Sequence, residues 1–188
     1  MKPDLRDIAI IDALPVHYTD KVILNVGCGK GRIDYILSDM GYRVYATDYI
    51  KYNSWNDIDL LTFHQADILD IKSFPIPFSP MVICSETLEH IEDYKTALAN
   101  LLILAKVRLI ITVPFELSFN NLAPPPKGHC NHWSDSQNKN RKFKDINEFK
   151  KLCAPYTVSI TKIRTKPEDV KMRQWAYLVI VDKRQKYG

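Results

Sequence analysis

A glycine-rich corner is the first stretch of the sequence whose residue types could do chemistry. The apolar run Val22–Val26 predicts a buried strand, and it meets Gly27-Cys28-Gly29-Lys30-Gly31 before helical spacing begins. Glycine lets the backbone approach a ligand closely and adopt positive φ, and a helix that starts there turns its first N–H groups toward that ligand. Since the spacing is GxGxG and not the GxGxxG of dinucleotide-binding folds, the corner alone predicts either a ligand loop or only a tight turn.

Two acids follow at the ends of the next two predicted strands. Asp48 ends the second strand, 19 residues after Gly29, and Asp67 follows the third strand. An acid at the end of the second strand can accept both hydroxyls of a ribose, and Asp67 could accept a hydrogen bond from an exocyclic amine. Ligands of open α/β sheets bind outside the carboxyl ends of the strands, so the glycine-rich corner, Asp48 and Asp67 together predict an adenosine site.

A possible reacting centre lies after the fourth predicted strand. Glu86, Glu89 and His90 stand at i, i+3 and i+4, so on a helix they would share one face at the strand end. In the functional interpretation His90 is a general base or an orienting group with Glu86 beside it. In the alternative interpretation Glu86 is a helix cap and His90 belongs to a packed polar pair.

The long irregular segment 114–141 is the second candidate for substrate contact. Loops of this length without regular structure are usually functional or disordered, and the three prolines at 124–126 stiffen this one. We interpret it as a lid on the substrate side, with His129 and Trp133 near the open end of the site. Its polar stretch 135–140 reads as a tolerated surface insertion.

The quoted motifs resemble those of class I S-adenosylmethionine-dependent methyltransferases. VILNVGCGKG resembles the first motif of that family, and TDY at 47–49, QADIL at 65–69 and ICSETLEHI at 83–91 match the next three in order. GHCNHWS at 128–134 resembles a segment that follows the fifth strand in many members, and the whole match covers roughly residues 20–182. The resemblance implies S-adenosylmethionine as cofactor, with Gly27, Gly29 and Gly31 flanking it, Asp48 on its ribose and Asp67 with Ile68 at its adenine. The cofactor contacts that we predict are Asn25, Gly27, Cys28, Gly29, Gly31, Asp48, Tyr49, Asp67, Ile68 and Ser85.

Two positions depart from the family pattern. Asn25 stands where the first motif usually has Asp, and Met81 stands where an acid usually opens the fourth motif. Asn can form hydrogen bonds but brings no charge to a cationic cofactor. Because neither residue sits at the expected ribose or adenine contact, we still expect the cofactor to bind.

The expected activity is methyl transfer to an unidentified acceptor, which we take to be a small molecule. Transfer from a sulfonium is an in-line displacement in which the cofactor carries the reactivity, so the protein mainly aligns the reactants and a general base is optional. The candidate catalytic residues are His90, Glu86 and His129. We predict no metal, because His129 and His132 flank Cys130-Asn131 in an irregular segment that fixes their placement poorly.

Two alternative functions stay open from the sequence. Glu86-x-x-Glu89-His90 with a later histidine resembles the metal-binding set of the small-RNA 3′-terminal ribose 2′-O-methyltransferases, where a divalent metal could sit on ribose oxygens. The other alternative is a non-catalytic S-adenosylmethionine-binding module that regulates a partner. Turnover of labelled cofactor separates that module from both enzymes.

The elements that must position these residues alternate between strand and helix. This order predicts a Rossmann-like α/β three-layer sandwich with a mostly parallel seven-stranded sheet and an antiparallel last strand. The link 165–174 contains a proline and no convincing helix, so the last two strands should pair antiparallel. We expect one domain over 1–188, with an N-terminal helical segment at 1–20. The predicted strands are 22–26, 43–47, 62–66, 81–84, 107–113, 157–164 and 175–181, and the clearest predicted helices are 93–105 and 143–152.

Composition and charge set the limits on partners. An apolar share of 46% and a charged share of 26% are typical of globular proteins, and the four cysteines form no CxxC pair and read as free thiols. The start MKPDLRDIAI does not read as a signal peptide, and no run approaches the roughly 18 apolar residues of a membrane span, so we expect a cytoplasmic protein with no membrane partner.

The charge is unevenly distributed along the chain. Net charge is −7 over residues 1–94 and +11 over residues 95–188. This leaves an anionic acceptor open and nucleic acid as a partner that is not favoured, with a solvated basic surface as the plainer interpretation. The basic residues between 139 and 151 would form a rim if they lay on one helix.

Overall fold

The computed structural model describes residues 2–15, 19–115, 128–134, 144–165 and 175–183. Within these ranges helices and strands alternate as the sequence predicts, and short 3-10 turns cover Ile71–Ser73 and Leu88–His90. The helices are α1 (Leu5–Asp12), α2 (Arg32–Asp39), α3 (Tyr94–Leu104) and α4 (Glu148–Leu152). The strands are β1 (Val22–Val26), β2 (Arg43–Asp48), β3 (Leu61–Gln65), β4 (Ser79–Ser85), β5 (Ala105–Pro114), β6 (Trp133–Ser134), β7 (Lys144–Asp145), β8 (Thr157–Arg164) and β9 (Trp175–Asp182).

The main sheet has seven strands in the order β3-β2-β1-β4-β5-β9-β8. Strands β1 to β5 are parallel, and β9 runs antiparallel to both of its neighbours. The predicted fold class and the antiparallel last pair are thus confirmed. Strand β1 lies between β2 and β4, so the strand order reverses there and opens a crevice outside the carboxyl ends of these strands.

Side chains of β1 alternate between the two faces of the sheet and connect both hydrophobic layers. Ile23 packs with Ile10 of α1 and Leu37 of α2 on one face. Leu24 packs with the residues of α3 on the opposite face. This period of two places Asn25 on the same face as Ile23, toward α1 and α2.

Helix α1 is held against the start of α2 by paired charges. Asp4 and Asp7 form a capping box, in which each side chain accepts the other residue's backbone N–H at 2.9 Å. The guanidinium of Arg32 donates to Asp4 at 2.8 Å and also binds Asp7, which is only 2% exposed. Arg32 is the first residue of α2, so these contacts fix α1 beside the glycine corner.

The region around residue 144 differs from the prediction. The predicted helix 143–152 begins at Glu148, because Lys144 N–H donates to His132 O at 2.8 Å and joins β7 to β6. The Lys144 ammonium lies over the Tyr94 ring, 3.9 Å from its centroid, while Lys150 and Lys151 are on α4. The prediction of one basic helix face is therefore wrong for Lys144. Residues 139–142 lie outside the described residues.

All four cysteines are free thiols. Burial raises the pKa of the Cys84 and Cys153 thiols, so both stay protonated at neutral pH. Among the helices that the structure describes, none is long and apolar enough to cross a membrane.

Candidate functional site

The glycine corner requires glycine for two different physical reasons. At Gly27 the backbone φ is +78°, and a Cβ would lie 2.0 Å from Thr87 Oγ1. At Gly29 φ is +56°, but no atom lies within 4 Å of an added Cβ. The first glycine is thus needed for packing against the loop after β4, whereas the second presents bare backbone to open space, where a ligand can approach.

Neighbouring strands hold the corner in place through its backbone. Gly27 and Cys28 donate their N–H groups to Thr47 O at 2.8 and 2.9 Å. Gly29 N–H donates to Asp48 Oδ2 at 2.8 Å, and the Trp55 indole N–H donates to Gly29 O at 2.8 Å. The Trp55 ring also stacks on Phe63, at 5.2 Å between centroids, so this residue both packs and fixes the glycine loop.

A first cavity of about 650 Å³ opens at the carboxyl ends of the parallel strands. It brings together eight of the predicted cofactor and catalytic positions. Asp48 accepts Ile50 N–H at 3.0 Å as well as Gly29 N–H, and since a carboxylate offers about four acceptor positions, both oxygens can still accept a hydroxyl. Asp67 accepts Leu69 N–H at 2.9 Å at the rim. The predicted residues that line this cavity are Gly27, Gly29, Asp48, Tyr49, Asp67, Ile68, Glu86 and His90.

A second cavity of about 480 Å³ lies on the other side of the glycine loop, toward α1 and α2. Gly27 lines both cavities, so they meet at that residue. Three further predicted cofactor residues, Asn25, Cys28 and Ser85, line the second cavity and not the first. Gly31, the remaining predicted contact, caps the start of α2.

Two of the three cationic side chains that line the second cavity are paired with acids. Arg32 is bound by the two acids of α1, and Arg6 lies 3.4 Å from Glu86. The remaining cation of the cavity is Lys30, which is exposed.

Asn25 itself brings no charge, but a buried acid lies beside it. Its Nδ2 donates to Asp34 Oδ1 at 2.8 Å, and both side chains are buried, with 2% and 0% of their surface exposed. Burial raises the pKa of Asp34 to about 7, which the hydrogen bond from Asn25 opposes. Sequence reasoning missed Asp34. The available signal was an acid among the apolar residues Ile33, Ile36 and Leu37, on the face of α2 that turns to the sheet.

Glu86 and Glu89 do not share a helix face, so that expectation is wrong. Glu86 has φ +51° and its N–H donates to Thr112 O at 2.9 Å, which keeps it out of the turn that follows. Its carboxylate lies 3.4 Å from the Arg6 guanidinium and accepts from Thr112 Oγ1 at 3.3 Å. The 3-10 turn begins only at Leu88.

Glu89, His90 and His129 do come together. Their potential metal-ligating atoms all lie within 4.8 Å of one another, and Glu89 is only 1% exposed. A ring nitrogen of His90, Nδ1, lies 2.9 Å from Gly128 O, and because a carbonyl can only accept, Nδ1 donates. In the neutral ring Nε2 then carries the lone pair, 3.9 Å from Glu89 Oε1. The arrangement can accept a proton or hold a cation.

A clamp that the sequence did not reveal places His129 there. The N–H groups of Cys130 and Asn131 donate to Glu89 O at 2.7 and 3.1 Å. The buried Asn131 amide donates to Leu88 O and Ile91 O at 3.0 and 2.6 Å. The expectation that this segment fixes its histidines poorly is therefore wrong for His129.

Trp133 has a structural role. Its side chain is fully buried, with ring centroids 5.6 Å from Tyr94 and 5.7 Å from Phe149. The expectation that it covers an acceptor is wrong, because it belongs to the core between β6, α3 and α4. Residues 116–127 and 135–143 lie outside the described residues, so the lid over 114–141 stays a prediction.

Comparison with known proteins finds similarity to methyltransferases. A family model described as "Methyltransferase domain" matches residues 24–106. The ubiquinone biosynthesis O-methyltransferase of Rickettsia typhi is 32% identical over 103 residues, which cover 49% of this chain and 41% of that protein. The chain thus aligns with less than half of the length of that curated relative.

Two solved structures share the fold. A proposed S-adenosylmethionine-dependent methyltransferase from Listeria monocytogenes superposes with a TM-score of 0.67 at 15% identity, covering 95% of this chain and 98% of that one. The magnesium protoporphyrin IX methyltransferase of Synechocystis PCC 6803, solved with bound S-adenosylmethionine, gives 0.57 at 16% identity, covering 94% and 74%. At such identities the likeness concerns the fold alone.

Proposed function

We propose that this chain is a class I S-adenosylmethionine-dependent methyltransferase that transfers a methyl group from S-adenosylmethionine to an oxygen of a small-molecule acceptor, as its match to a methyltransferase domain model supports. The observation that carries the proposal is the position of Asp48. It ends β2, binds Gly29 N–H at 2.8 Å and lines the first cavity together with Asp67. The oxygen acceptor is supported by the name of the Rickettsia relative.

The residues present fit the cofactor. Asp48 would accept the ribose hydroxyls, Asp67 and the buried Ile68 would contact the adenine, and the bare backbone at Gly29 would let the nucleoside lie close. When bound, the cofactor supplies an electrophilic methyl group on a sulfonium. The chain then has to align the acceptor with that group and keep the two in contact.

His90 is the residue best placed to take a proton from the acceptor. It lines the first cavity, and its bond to Gly128 O leaves Nε2 as the acceptor of the neutral ring. A positioned base of this kind typically contributes about 10²–10⁴-fold to the rate. His90→Ala should therefore lower turnover by at least about tenfold, which is less than that range because a general base is optional here. Cofactor affinity should stay within about twofold, because His90 is not among the residues that we place at the ribose and the adenine.

The direct test is transfer of label from [methyl-³H]S-adenosylmethionine to a set of phenols, catechols and hydroxy acids and to fractionated cell extract. Label in a small-molecule fraction supports the proposal, and His64→Ala, which changes a histidine of β3, should leave transfer unchanged. Cofactor binding without transfer to any fraction would favour the non-catalytic module instead.

A second candidate function is metal-assisted methylation of a hydroxyl, as on a terminal ribose of RNA. The observation that favours it is the cluster of Glu89, His90 and His129, whose oxygen and nitrogen ligands suit Mg²⁺ or Mn²⁺. The two candidates differ in their response to chelation. Under the first, EDTA leaves transfer unchanged. Loss of transfer on chelation, recovery with Mn²⁺ and label in RNA would favour the second.

A further inference from the structure

Two cations stacked on aromatic rings lie at one end of β8, and the proposed reaction assigns them no role. The Lys162 ammonium lies over the Phe115 ring, 3.4 Å from its centroid, and 5.4 Å from the centroid of the Trp175 ring. The Arg164 guanidinium lies 5.1 Å from the same Trp175 centroid. We call Phe115, Lys162, Arg164 and Trp175 the basic cluster.

The strand register places the basic cluster at the same edge of the sheet as the first cavity. Trp175 opens β9 and pairs with Arg164, the last residue of β8, and Phe115 N–H donates to Trp175 O at 3.2 Å. Since β9 runs antiparallel to β5 and β8, its start lies beside the ends of both strands. The parallel strands end at this edge too, and ligands of such sheets bind outside it.

The Lys162 side chain reaches back toward the proposed reacting centre. Strand β9 separates β8 from β5, yet the Lys162 ammonium lies over Phe115, which directly follows β5. Phe115 also forms a bridge with Trp133, in the segment that carries His129. Strand β5 is the neighbour of β4, which leads to His90. The ammonium therefore lies at the end of the strand next to β4, and neighbouring strands are roughly 4.8 Å apart.

The strands that form the basic cluster do not balance its charge. Among the described residues of β5, β8 and β9, the one acid is Asp182, which pairs with Thr157 at the opposite edge of the sheet and binds Arg108 at 2.8 Å. Lys162 is exposed and Arg164 is half-buried. A ring face attracts a cation without neutralising it, so the cluster presents positive charge at the carboxyl edge.

The rings also hold the cations in position before any ligand binds. A lysine side chain loses much rotamer freedom when a ligand fixes it, and that loss opposes binding. Because Lys162 is already stacked on Phe115, less freedom remains to be lost when an anion binds. The Arg164 guanidinium on Trp175 is restrained in the same way and can offer a carboxylate or phosphate two parallel N–H groups.

We propose that Lys162, with Arg164 beside it, binds an anionic group of the methyl acceptor, a carboxylate or a phosphate, while the acceptor hydroxyl lies near His90. The inference rests on the proposed function and narrows its acceptor to small molecules that carry negative charge. Lys162 then determines specificity without taking part in the chemistry. Since it binds a part of the acceptor that does not react, its loss should raise the KM for the acceptor and leave kcat unchanged.

The first test measures anion binding to the full chain without any acceptor. Pyrophosphate and citrate are titrated calorimetrically with S-adenosylhomocysteine present. Wild-type protein should bind at least one of them at millimolar or lower concentration, Lys162→Gln about fivefold more weakly, and Lys162→Arg within about twofold of the wild type. Lys106→Gln is the matched control, because Lys106 also lies over a ring, that of Phe78 at 3.9 Å, but near the start of β5. Its anion affinity should be that of the wild type. No binding by the wild type, or equal binding by Lys162→Gln, would overturn the inference.

The second test asks whether the acceptor itself is anionic. Small molecules of a cell extract are separated on an anion-exchange resin, and each fraction receives labelled S-adenosylmethionine. Label in the retained fraction supports the inference, and Lys162→Gln should need about fivefold more of that fraction for half-maximal transfer, with the maximal rate and the affinity for S-adenosylhomocysteine unchanged. Phosphatase treatment moves a phosphate-bearing acceptor to the unretained fraction and leaves a carboxylate where it was.

The failures of the two proposals are distinguishable. Label confined to the unretained fraction of untreated extract would overturn the inference and leave the proposed function standing. Wild-type protein that labels no fraction would overturn the proposed function itself.

Discussion

Asp48 and Asp34 are both acids beside the glycine loop, but the protein holds them in opposite ways. Asp48 is half-buried and receives a backbone N–H on each oxygen, from Gly29 and Ile50. Asp34 is fully buried and receives one amide N–H, and its pKa is raised to about 7. Backbone donors stabilise a carboxylate at little cost, whereas burial opposes its charge. The comparison teaches that a carboxylate held by backbone N–H groups is ready to accept ligand hydroxyls, whereas a carboxylate sealed from solvent destabilises the fold when it ionises.

The largest expected effect on cofactor affinity comes from Gly27, where the two cavities meet. Gly27→Ala would place a Cβ 2.0 Å from Thr87 Oγ1 at a φ of +78°. Because both the loop after β4 and the glycine loop would have to shift, we expect cofactor affinity to fall at least 100-fold, on the order of 3 kcal/mol.

Gly41→Ala is the matched control for this change. Its φ of +82° is similar, but its nearest neighbour to an added Cβ is Lys21 Nζ at 3.9 Å. It should lower the free energy of unfolding by about 1 kcal/mol through φ alone, with cofactor affinity unchanged. Equal loss of affinity in both variants would show that strain, and not the contact with Thr87, is responsible.

The stability of the wild type relative to Asp34→Asn should depend on pH. The folded pKa of Asp34 is raised from 3.8 to about 7, so its contribution is fully present below pH 4 and is lost as pH rises through 7. The difference in unfolding free energy between wild type and variant should fall by up to roughly 4 kcal/mol over this interval and stay flat above it. Denaturant titrations at pH 4.5, 6 and 8 measure it, and a difference that rises with pH would contradict the comparison.

Asp48→Ala should weaken cofactor binding by roughly 1–3 kcal/mol, because the ligand loses a charge-assisted hydrogen bond and Gly29 N–H loses its acceptor. The loss should be the same for S-adenosylhomocysteine and 5′-methylthioadenosine, which share the ribose. Asp59→Ala removes an exposed acid away from both cavities and serves as the control. A loss confined to S-adenosylhomocysteine would mean that Asp48 acts on the amino-acid end.

The smallest expected effect concerns Trp55. Trp55→Phe removes the N–H that binds Gly29 O at 2.8 Å and keeps an aromatic ring to stack on Phe63. We expect about a fivefold loss of cofactor affinity, near 1 kcal/mol, because one hydrogen bond that positions the loop is gone. Unchanged affinity in calorimetry would show that stacking alone holds the loop.

The nucleoside cavity could be predicted from the sequence because its parts are local. Each contact follows directly from a strand end, and parallel strands bring Gly29, Asp48 and Asp67 to one edge once the sheet order is known. The alternation of strands and helices also predicted a mostly parallel seven-stranded sheet with an antiparallel last pair, but not the order of its strands. The predictions that were wrong concern residues whose positions depend on contacts between segments distant in sequence.

Two particular misses show this. Glu86 leaves the predicted helix because its N–H is bound by Thr112 in the neighbouring strand. His129 reaches His90 because Asn131 clamps the segment to Leu88 and Ile91, more than 35 residues earlier in the chain. Asp34, in contrast, could have been predicted. An acid on the buried face of a helix needs a polar partner, and Asn25 in the neighbouring core strand is a candidate for it.

The most direct test of the account is a calorimetric comparison of S-adenosylmethionine, S-adenosylhomocysteine and NAD⁺ with the full chain. NAD⁺ is the natural rival, because a glycine corner with an acid on a ribose also suits a dinucleotide. The account predicts that both adenosylated amino acids bind at micromolar or lower concentration, raise the melting temperature by mass action and are displaced by each other. Tight binding of NAD⁺ with no binding of S-adenosylmethionine would contradict it.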